Sequence, residues 1–156
     1  MTQALIGVDI GTQGTKAALF SESGKCLAEA FRASKLSRPK PGVVEEDPEN
    51  QVKSVCSAIK ACVKESGVAP ASVAGIGIDG QMAGVIGVGA DGKNVTPYDS
   101  WLDTRCAPYI HEMRARAGKE ILNSTGCPPS INHGPKKLWW QKEHPKTYGQ
   151  IKAFVQ

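Results

Sequence analysis

The sequence predicts an α/β fold in which a three-strand antiparallel meander is followed by a helix and by strands parallel to the first one. Three observations indicate it: apolar runs between tight polar turns over residues 5–32, a helical apolar stripe over residues 47–67, and another apolar run at residues 73–78. Short apolar runs bounded by turn residues are typical of strands, and a helix between two of them is typical of a parallel crossover.

The first three predicted strands form the meander. Leu5–Val8 is continuously apolar and ends in Asp9 and a glycine-rich turn, as a buried central strand does. Thr15–Phe20 is the second strand, and the polar turn 21–25 leads into the third, Cys26–Arg32. Because the connections are tight turns, we expect neighbouring strands to run antiparallel.

A helix is predicted after the proline-containing loop 37–42. Residues 47–49 read Asp-Pro-Glu, the N-cap, first-turn proline and early acid of a helix start, and Gly67 is a plausible C-cap. Because this crossover helix precedes it, the run Val73–Ile78 is expected to pair in parallel with the first strand. The apolar stripe of the helix is predicted to be Val52, Val55, Cys56, Ile59, Cys62 and Val63.

The second half of the chain is predicted to hold a twisted strand, two helices and a final strand. Adjacent Trp139 and Trp140 are expected to face opposite sides of the second helix, in packing roles. A final strand with nothing after it is typical of a fragment. The elements are expected near Val85–Val88 with a hairpin at Asp91-Gly92, beyond Asp103 with Tyr109, Ile110 and Met113 on one face, at Lys136–Glu143 and at Ile151–Val155.

Composition and charge argue against several function classes. The 156 residues, 40% of them hydrophobic, suit one domain or a large piece of one. No apolar run approaches the roughly 18 residues of a membrane span, and no basic leader of a signal peptide is present, so a cytoplasmic location is expected. The net charge is only +4 and the charged residues are scattered along the chain, which argues against nucleic-acid binding. Five cysteines without a zinc pattern favour reduced thiols.

Residues 9–16 carry the pattern of a phosphate-binding hairpin. Asp9 ends the first strand, two glycines and two threonines follow, and Lys16 lies at the start of the returning strand. Glycines let backbone N–H groups approach phosphate oxygens, hydroxyls donate further bonds, and a carboxylate can hold Mg²⁺ directly or through water. An ordinary glycine-containing hairpin is the alternative. The segment 9–16 itself matches neither the P-loop pattern nor the GxGxxG pattern of a dinucleotide turn.

Five segments in order resemble motifs of the FGGY carbohydrate kinase family, and of its xylulose kinases most. The hairpin resembles the first phosphate motif of the sugar kinase, Hsp70 and actin superfamily, whose ribonuclease H-like core also runs meander, helix, parallel strand. The other segments are 41–49, similar to Pro-Gly-x-x-Glu-x-Asp-Pro, 77–84, similar to Gly-Gln-Met-His-Gly, 101–105, similar to Trp-Asn-Asp-x-Arg, and 135–139, similar to Pro-Lys-x-x-Trp.

The resemblance implies ATP and Mg²⁺ as cofactors and assigns residues 1–156 to the front part of an N-terminal, sugar-binding domain. Asp9 would position Mg²⁺ and the terminal phosphate, whereas Thr15 is expected to pack within its strand. The implied phosphate floor is Gly11, Thr12, Gln13, Gly14 and Lys16. The implied sugar contacts are Gln81, Met82, Ala83, Trp101, Asp103 and Arg105.

Two residues depart from the xylulose kinase pattern. Ala83 stands where the family has a sugar-binding His, and Asp79 stands where a small or neutral residue is common. An unpaired polar group costs about 1 to 3 kcal/mol, so the change at position 83 bears on specificity. Core packing for Trp101, and a salt bridge with a carboxylate such as Asp103 for Arg105, remain open as alternatives.

The expected function is ATP-dependent phosphorylation of a sugar or polyol, foremost D-xylulose to D-xylulose 5-phosphate. Another ketose, polyol or sugar acid, or a non-catalytic sugar sensor, are the alternatives; an Hsp70-like or actin-like ATPase would lack segment 101–105. Because Asp47, Asp91 and Asp99 are predicted in a helix cap or turns, the general-base Asp and the adenosine site are expected beyond this chain, which alone would be inactive. The longer protein could be a homodimer.

Overall fold

The computed structural model of the chain describes residues 3–156, which form two compact units. The first contains the residues up to Lys35 together with Glu49–Gln81, and the second contains Leu36–Pro48 and Met82–Gln156. The strands are β1 (Ala4–Ile10), β2 (Gly14–Ser21), β3 (Cys26–Ala33), β4 (Glu45–Glu46), β5 (Val73–Gly80), β6 (Ile86–Val88), β7 (Tyr98–Asp99) and β8 (Ala153–Val155). The helices are α1 (Pro48–Ser66), α2 (Ala107–Thr125), α3 (His133–Glu143) and α4 (Pro145–Tyr148).

A four-stranded sheet in the order β3-β2-β1-β5 forms the first unit. β1 pairs antiparallel with β2, and β2 with β3, so the predicted meander is confirmed. β5 pairs in parallel with β1, placing Asp79 opposite Asp9. The helix α1 lies between the meander and β5 in sequence, as the crossover prediction requires.

The core of the first unit lies on one face of this sheet. Alternate residues of β1, namely Ala4, Ile6 and Val8, are buried there. Cys62 of α1 is fully buried against them, and its thiol donates to the carbonyl oxygen of Ala17 at 3.1 Å. Buried residues recur every second position in the strand and about every 3.6 positions in the helix. These two repeats define the face of the sheet and the face of the helix that pack together.

The predicted apolar stripe of α1 is partly wrong. Val52 is 59% exposed and Cys56 is exposed, whereas Ala58, which the prediction omits, is fully buried. The buried face follows positions i, i+3, i+4, i+7 and i+8 from residue 55. Cys56 lies about 200° around the helix from Ala58, on the far side. The face is therefore centred on small residues that let the helix approach the sheet.

The second unit contains two small antiparallel sheets, β4–β7 and β6–β8, with α2 and α3 beside each other in sequence and in contact. The predicted turn at Asp91-Gly92 is present, with Gly92 at φ +78°. α2 is interrupted at Ala117, whose φ of −148° is not helical, and none of its residues is fully buried. None of the helices among residues 3–156 could cross a membrane.

Asp99 is placed differently from the prediction. It was expected in a turn, but it lies in β7, where it pairs with Glu45 of β4. Its side chain is only 2% exposed. A two-residue strand carries no periodicity of its own, and this one forms because residues 54 positions apart along the chain meet.

Candidate functional site

The turn between β1 and β2 has the tight geometry predicted for a phosphate hairpin. The backbone N–H of Gly11 donates to the carbonyl of Gly14 at 3.0 Å, and the N–H of Gly14 donates back at 3.2 Å. Asp9 and Lys16 are directly opposite each other on the two strands, and both are exposed. A carboxylate and an ammonium group therefore flank the turn at its base.

The two glycines of the turn differ in what a side chain at each position would contact. A Cβ on Gly14 would lie 2.3 Å from the carbonyl oxygen of Arg32 and within 2.6 Å of the Phe31 ring, so only glycine fits beside β3. A Cβ on Gly11 would lie 3.8 and 3.9 Å from the two carboxylate oxygens of Asp9. A Cβ on Gly11 would thus meet Asp9 only at ordinary van der Waals distance, with the carbonyl oxygen of Gly14 nearer at 3.3 Å, whereas Gly14 is required for packing. Thr15 is 3% exposed and packs within its strand, as predicted.

Gln81, a predicted sugar contact, lies beside the hairpin within the same unit. Its backbone N–H donates to the carbonyl of Ile10 at 2.9 Å, and its Oε1 accepts from the hydroxyl of Thr12 at 3.3 Å. Its amide Nε2 is buried and has no hydrogen-bond partner among residues 3–156. A buried donor without an acceptor costs about 1 to 3 kcal/mol, which a ligand oxygen would offset.

The carboxylates at this end of the sheet fit a magnesium–phosphate ligand. Asp9 lies near the end of β1, and Asp79 is opposite it on β5 with Oδ1 accepting from the N–H of Gly80 at 2.8 Å. No group of three or more metal-ligating side chains exists within the described part of the chain. Mg²⁺ typically takes one or two protein carboxylates and completes its shell with phosphates and water. The role of Asp9 as its ligand stays a prediction.

The segment after Gln81 has an unusual backbone. Met82 is 78% exposed, and Ala83 has φ of +66°, a left-handed value that no other non-glycine residue between 3 and 156 adopts. Gly84 is enclosed, because a Cβ there would lie 2.1 to 2.2 Å from the Tyr98 ring. Backbone strain of this kind is frequent at ligand-binding sites.

Ala83→Gly is expected to stabilise the second unit by about 0.5 to 1 kcal/mol, because glycine adopts positive φ without the Cβ penalty. All three tryptophans lie in this unit, so urea unfolding followed by tryptophan fluorescence reports on it. The matched control is Ala90→Gly, at a position without positive φ, which is expected to destabilise slightly. Equal effects of the two substitutions would contradict the assignment of strain to position 83.

Trp101 lies on a short turn of the second unit and leaves its ring accessible. The turn is closed by the N–H of Asp103, which donates to the carbonyl of Ser100 at 2.9 Å. Trp101 is 42% exposed, so its ring is not packed in the core of this unit. A fixed turn with an exposed indole provides an apolar face of the kind that stacks on a sugar ring or chain.

Asp103 does not have the geometry of a direct sugar contact. It is fully buried, and its Oδ2 accepts from the N–H of Val44 at 2.7 Å and from Nε of Arg105 at 2.8 Å. Its Oδ1 accepts from the backbone N–H of Arg105 at 3.0 Å. Both oxygens are therefore engaged within the unit. The salt bridge left open above is present, since Nη2 of Arg105 lies 2.6 Å from Oδ2.

Arg105 is the centre of a cluster of three carboxylates. Its Nη2 lies 2.7 Å from Oε1 of Glu45 and 3.3 Å from Oδ1 of Asp99, in addition to Asp103. Its guanidinium carbon lies 4.8 Å from the centre of the Trp139 ring. Burial alone would lower the pKa of Arg105, but hydrogen bonding to Asp103 and the charge of Asp99 raise it above its ordinary value. The geometry makes Arg105 a structural hub.

Asp99 shares this cluster and is the most perturbed carboxyl of the unit. Trp140 donates from Nε1 to its Oδ2 at 2.5 Å. Burial raises the pKa of Asp99 from 3.8 to about 6, against the opposing effect of Arg105. The folded state therefore holds more protons than the unfolded state between those values, so this group's stabilising contribution falls as pH rises through about 6.

Asp99→Asn is expected to remove this pH dependence while keeping an acceptor for Trp140. Relative to the variant, the wild-type free energy of unfolding should fall by roughly 2 to 3 kcal/mol between pH 4 and pH 7, since each pKa unit is about 1.4 kcal/mol. Urea unfolding at intervals of half a pH unit measures it. Asp91→Asn, on an exposed turn, serves as control, and parallel pH curves for wild type and Asp99→Asn would refute the prediction.

The sequence patterns did not predict a role for three residues in or near this cluster. Glu45, Lys136 and Trp140 lie in segments matched to family motifs or next to them, yet nothing local assigns them a partner. Trp140 is 7% exposed and faces inward, as one of the two tryptophans was predicted to do. The only available signal was the presence of charged residues flanking apolar ones in segments 41–49 and 135–139.

Comparison with known proteins identifies relatives of this chain. The xylulose kinase of Bacillus subtilis (strain 168) is 30% identical over 152 residues, covering 97% of this chain and 30% of that protein. The xylulose kinase of Escherichia coli (strain K12) is 32% identical over 147 residues, covering 94% of this chain and 30% of that protein. A gluconate kinase from Lactobacillus acidophilus superimposes with a TM-score of 0.92 at 25% identity, covering 99% of this chain and 31% of that one.

The chain thus spans about a third of the length of the relatives it matches. Relatives named for glycerol and for gluconate also match, so the relatives differ in substrate. The structural likeness confirms the predicted ribonuclease H-like core of the actin-like ATPase and sugar kinase superfamily. The model of the FGGY family of carbohydrate kinases, N-terminal domain, matches residues 4–156, and the chain belongs to that family.

Proposed function

We propose that the protein containing this chain transfers a phosphoryl group from ATP to a hydroxyl of a sugar or polyol, with D-xylulose as the favoured acceptor. The observation that carries the proposal is the hairpin of the first unit, where exposed Asp9 and Lys16 flank a glycine turn next to the unpartnered amide of Gln81. Two relatives named xylulose kinase support the choice of acceptor.

The residues of the hairpin suit phosphate binding by position and charge. ATP, when bound, would supply the phosphoryl group, and Mg²⁺ would neutralise part of its negative charge. Lys16 contributes a cation, and Gly11 places no side chain beside the carboxylate of Asp9. Phosphoryl transfer depends mainly on positioning and electrostatic stabilisation, which such groups provide.

We take Gln81 of the first unit and Trp101 of the second unit as sugar contacts, each on the evidence of its surroundings within its own unit. The amide Nε2 of Gln81 can donate to a hydroxyl oxygen, and the exposed indole of Trp101 can cover the carbon skeleton. Asp103 and Arg105 act on the sugar through the turn they hold. Met82 is exposed and available for contact.

We place the general base in a part of the protein outside this chain. Asp99 is buried and bonded to Trp140, so it has no route to a sugar hydroxyl. Asp91 lies on an exposed hairpin turn, where its Oδ1 accepts from the N–H of Lys93. The relatives are about three times as long as this chain, which leaves room for the base and for the adenosine site.

A sugar acid is the second candidate substrate, favoured by Ala83. The imidazole that xylulose kinases are expected to place there is absent, and the gluconate kinase superimposes closely. The positive φ of Ala83 is compatible with histidine, which occurs in the left-handed region more often than most residues. Ala83→His therefore tests specificity with little expected change in the backbone.

The test is ADP release by the full-length protein with D-xylulose, glycerol and gluconate in parallel. We expect turnover of at least one, and a gain in the kcat/KM ratio of D-xylulose over gluconate in Ala83→His. If no sugar, polyol or sugar acid is phosphorylated, the kinase proposal fails. Sugar-induced thermal stabilisation without turnover would then favour the sugar-sensor alternative.

A further inference from the structure

The ammonium group of Lys136 lies inside the second unit. Lys136 is 1% exposed, and its Nζ donates to the carbonyl oxygen of Ser100 at 2.8 Å and to that of Asp103 at 2.9 Å. Lysine is rarely buried to this extent unless its charge is paired or hydrogen-bonded. Burial lowers the pKa of Lys136, and Cys106 and Asp103 oppose that shift. A buried ammonium group that donates to two carbonyl oxygens holds both of those carbonyl groups in position.

The two acceptors lie on either side of Trp101 and Leu102. Ser100 and Asp103 also close the turn themselves, and the N–H of Leu102 donates to Oγ of Ser100 at 3.3 Å. Lys136 belongs to the first turn of α3, so it ties that helix to both ends of the Trp101 turn. The backbone is held while the indole stays 42% exposed.

The helix that carries Lys136 is itself fixed in place. Trp140, one turn further along α3, is bonded through Nε1 to Asp99 of β7. Ser100 follows Asp99 directly, and its N–H donates to the carbonyl of Val44 at 3.0 Å. Lys136 therefore connects α3 to the hydrogen-bonded turn from which the exposed ring emerges.

We propose that Lys136 is a positioning residue for the sugar, because it clamps the carbonyl groups that bracket Trp101 and so sets the orientation of the indole. The proposal rests on the proposed function, in which Trp101 contacts the acceptor. Lys136 does not touch the sugar and acts through the turn. A loosened turn would lower affinity for the sugar and leave nucleotide binding unchanged.

Lys136→Met in the full-length protein removes the ammonium group and keeps the apolar stem. The KM for the sugar should rise about tenfold, in the range expected for lost hydrogen bonds to a charged group, with the KM for ATP within twofold. Lys142→Met, an exposed lysine on the same helix, should change neither constant. Lys136→Arg keeps a cation with several donors and should recover part of the loss. Equal KM values in the Lys136 and Lys142 variants would overturn the proposal.

A double-mutant cycle with Trp101→Ala separates positioning from general damage. Once the indole is absent, Lys136→Met should raise the sugar KM by less than a further twofold. If the increase in sugar KM of the double variant equals the product of the increases in the two single variants, Lys136 acts independently of Trp101 and the proposal is overturned.

Amide hydrogen exchange of the sugar-free protein gives a readout that needs no activity. Amides 102–105 should exchange at least tenfold faster in Lys136→Met than in Lys142→Met, with β6 unchanged. Unchanged exchange overturns the proposal. If no sugar is phosphorylated but this difference is seen, the proposed function fails and the clamp stands. Should Lys136→Met not fold, Lys136→Arg carries the comparisons; failure of both to fold marks a folding determinant and overturns the proposal.

Discussion

Asp9→Asn is expected to lower the kcat of the full-length protein by about 100- to 1,000-fold, the usual loss when one group that stabilises transition-state charge is removed. Asparagine keeps the size of the side chain but cannot supply the negative charge that holds a magnesium ion. Because Asp9 is exposed, the free energy of unfolding should change by less than about 0.5 kcal/mol.

A coupled assay for ADP measures the loss, and Asp91→Asn provides the matched control. Both positions hold an exposed aspartate at a hairpin, but Asp91 lies in the second unit on the turn after β6. Its variant should keep wild-type kcat. Retention of more than a tenth of the activity by Asp9→Asn would remove Asp9 from the phosphate-binding machinery.

Asp103→Asn is expected to destabilise the second unit by about 3 kcal/mol or more, because removing one member of a buried ion pair leaves its partner uncompensated. The guanidinium of Arg105 would lose its nearest carboxylate, and an amide NH₂ would face either that group or the N–H of Val44. Glu45 and Asp99 remain near Arg105, so the loss should stay short of complete unfolding.

Urea unfolding monitored by tryptophan fluorescence tests this expectation, with Asp91→Asn again as the control within the same unit. The result also decides between the two roles considered for Asp103. A sugar contact would lose affinity with little change in stability, whereas a structural group loses stability first. A destabilisation below about 1 kcal/mol would favour the direct sugar contact.

The sheet and the hairpin could be predicted because their signals are local. β1, β2, β3 and β5 are short apolar runs closed by turn residues, and the helix between them carries its own start and end signals. The hairpin at residues 9–16 contains all of its chemical groups within eight positions. Each of these features needs no information from elsewhere in the chain.

Apart from the Arg105–Asp103 salt bridge, which the sequence left open, the contacts in and around the Arg105 cluster could not be predicted, because they join distant residues. Lys136 and Ser100 are 36 positions apart, and Trp140 and Asp99 are 41 apart. A buried lysine or aspartate has the same sequence signature as an exposed one. The sequence analysis therefore predicted Asp103 as a sugar contact and assigned no role to Lys136. Likewise, Val52 and Cys56 fit a helical stripe, and only the sheet decides which face is covered.

The edge strand β5 has a consequence for handling the protein. It pairs with β1 on one side, and within residues 3–156 no strand pairs with its other side. Ile76 and Ile78 on this strand are 51% and 63% exposed. Unpaired backbone groups beside apolar side chains form a template for strand addition between molecules. At high concentration the 156 residues alone would therefore associate through this edge. The substitution Ile78→Lys would oppose that association by placing a charge on the edge strand.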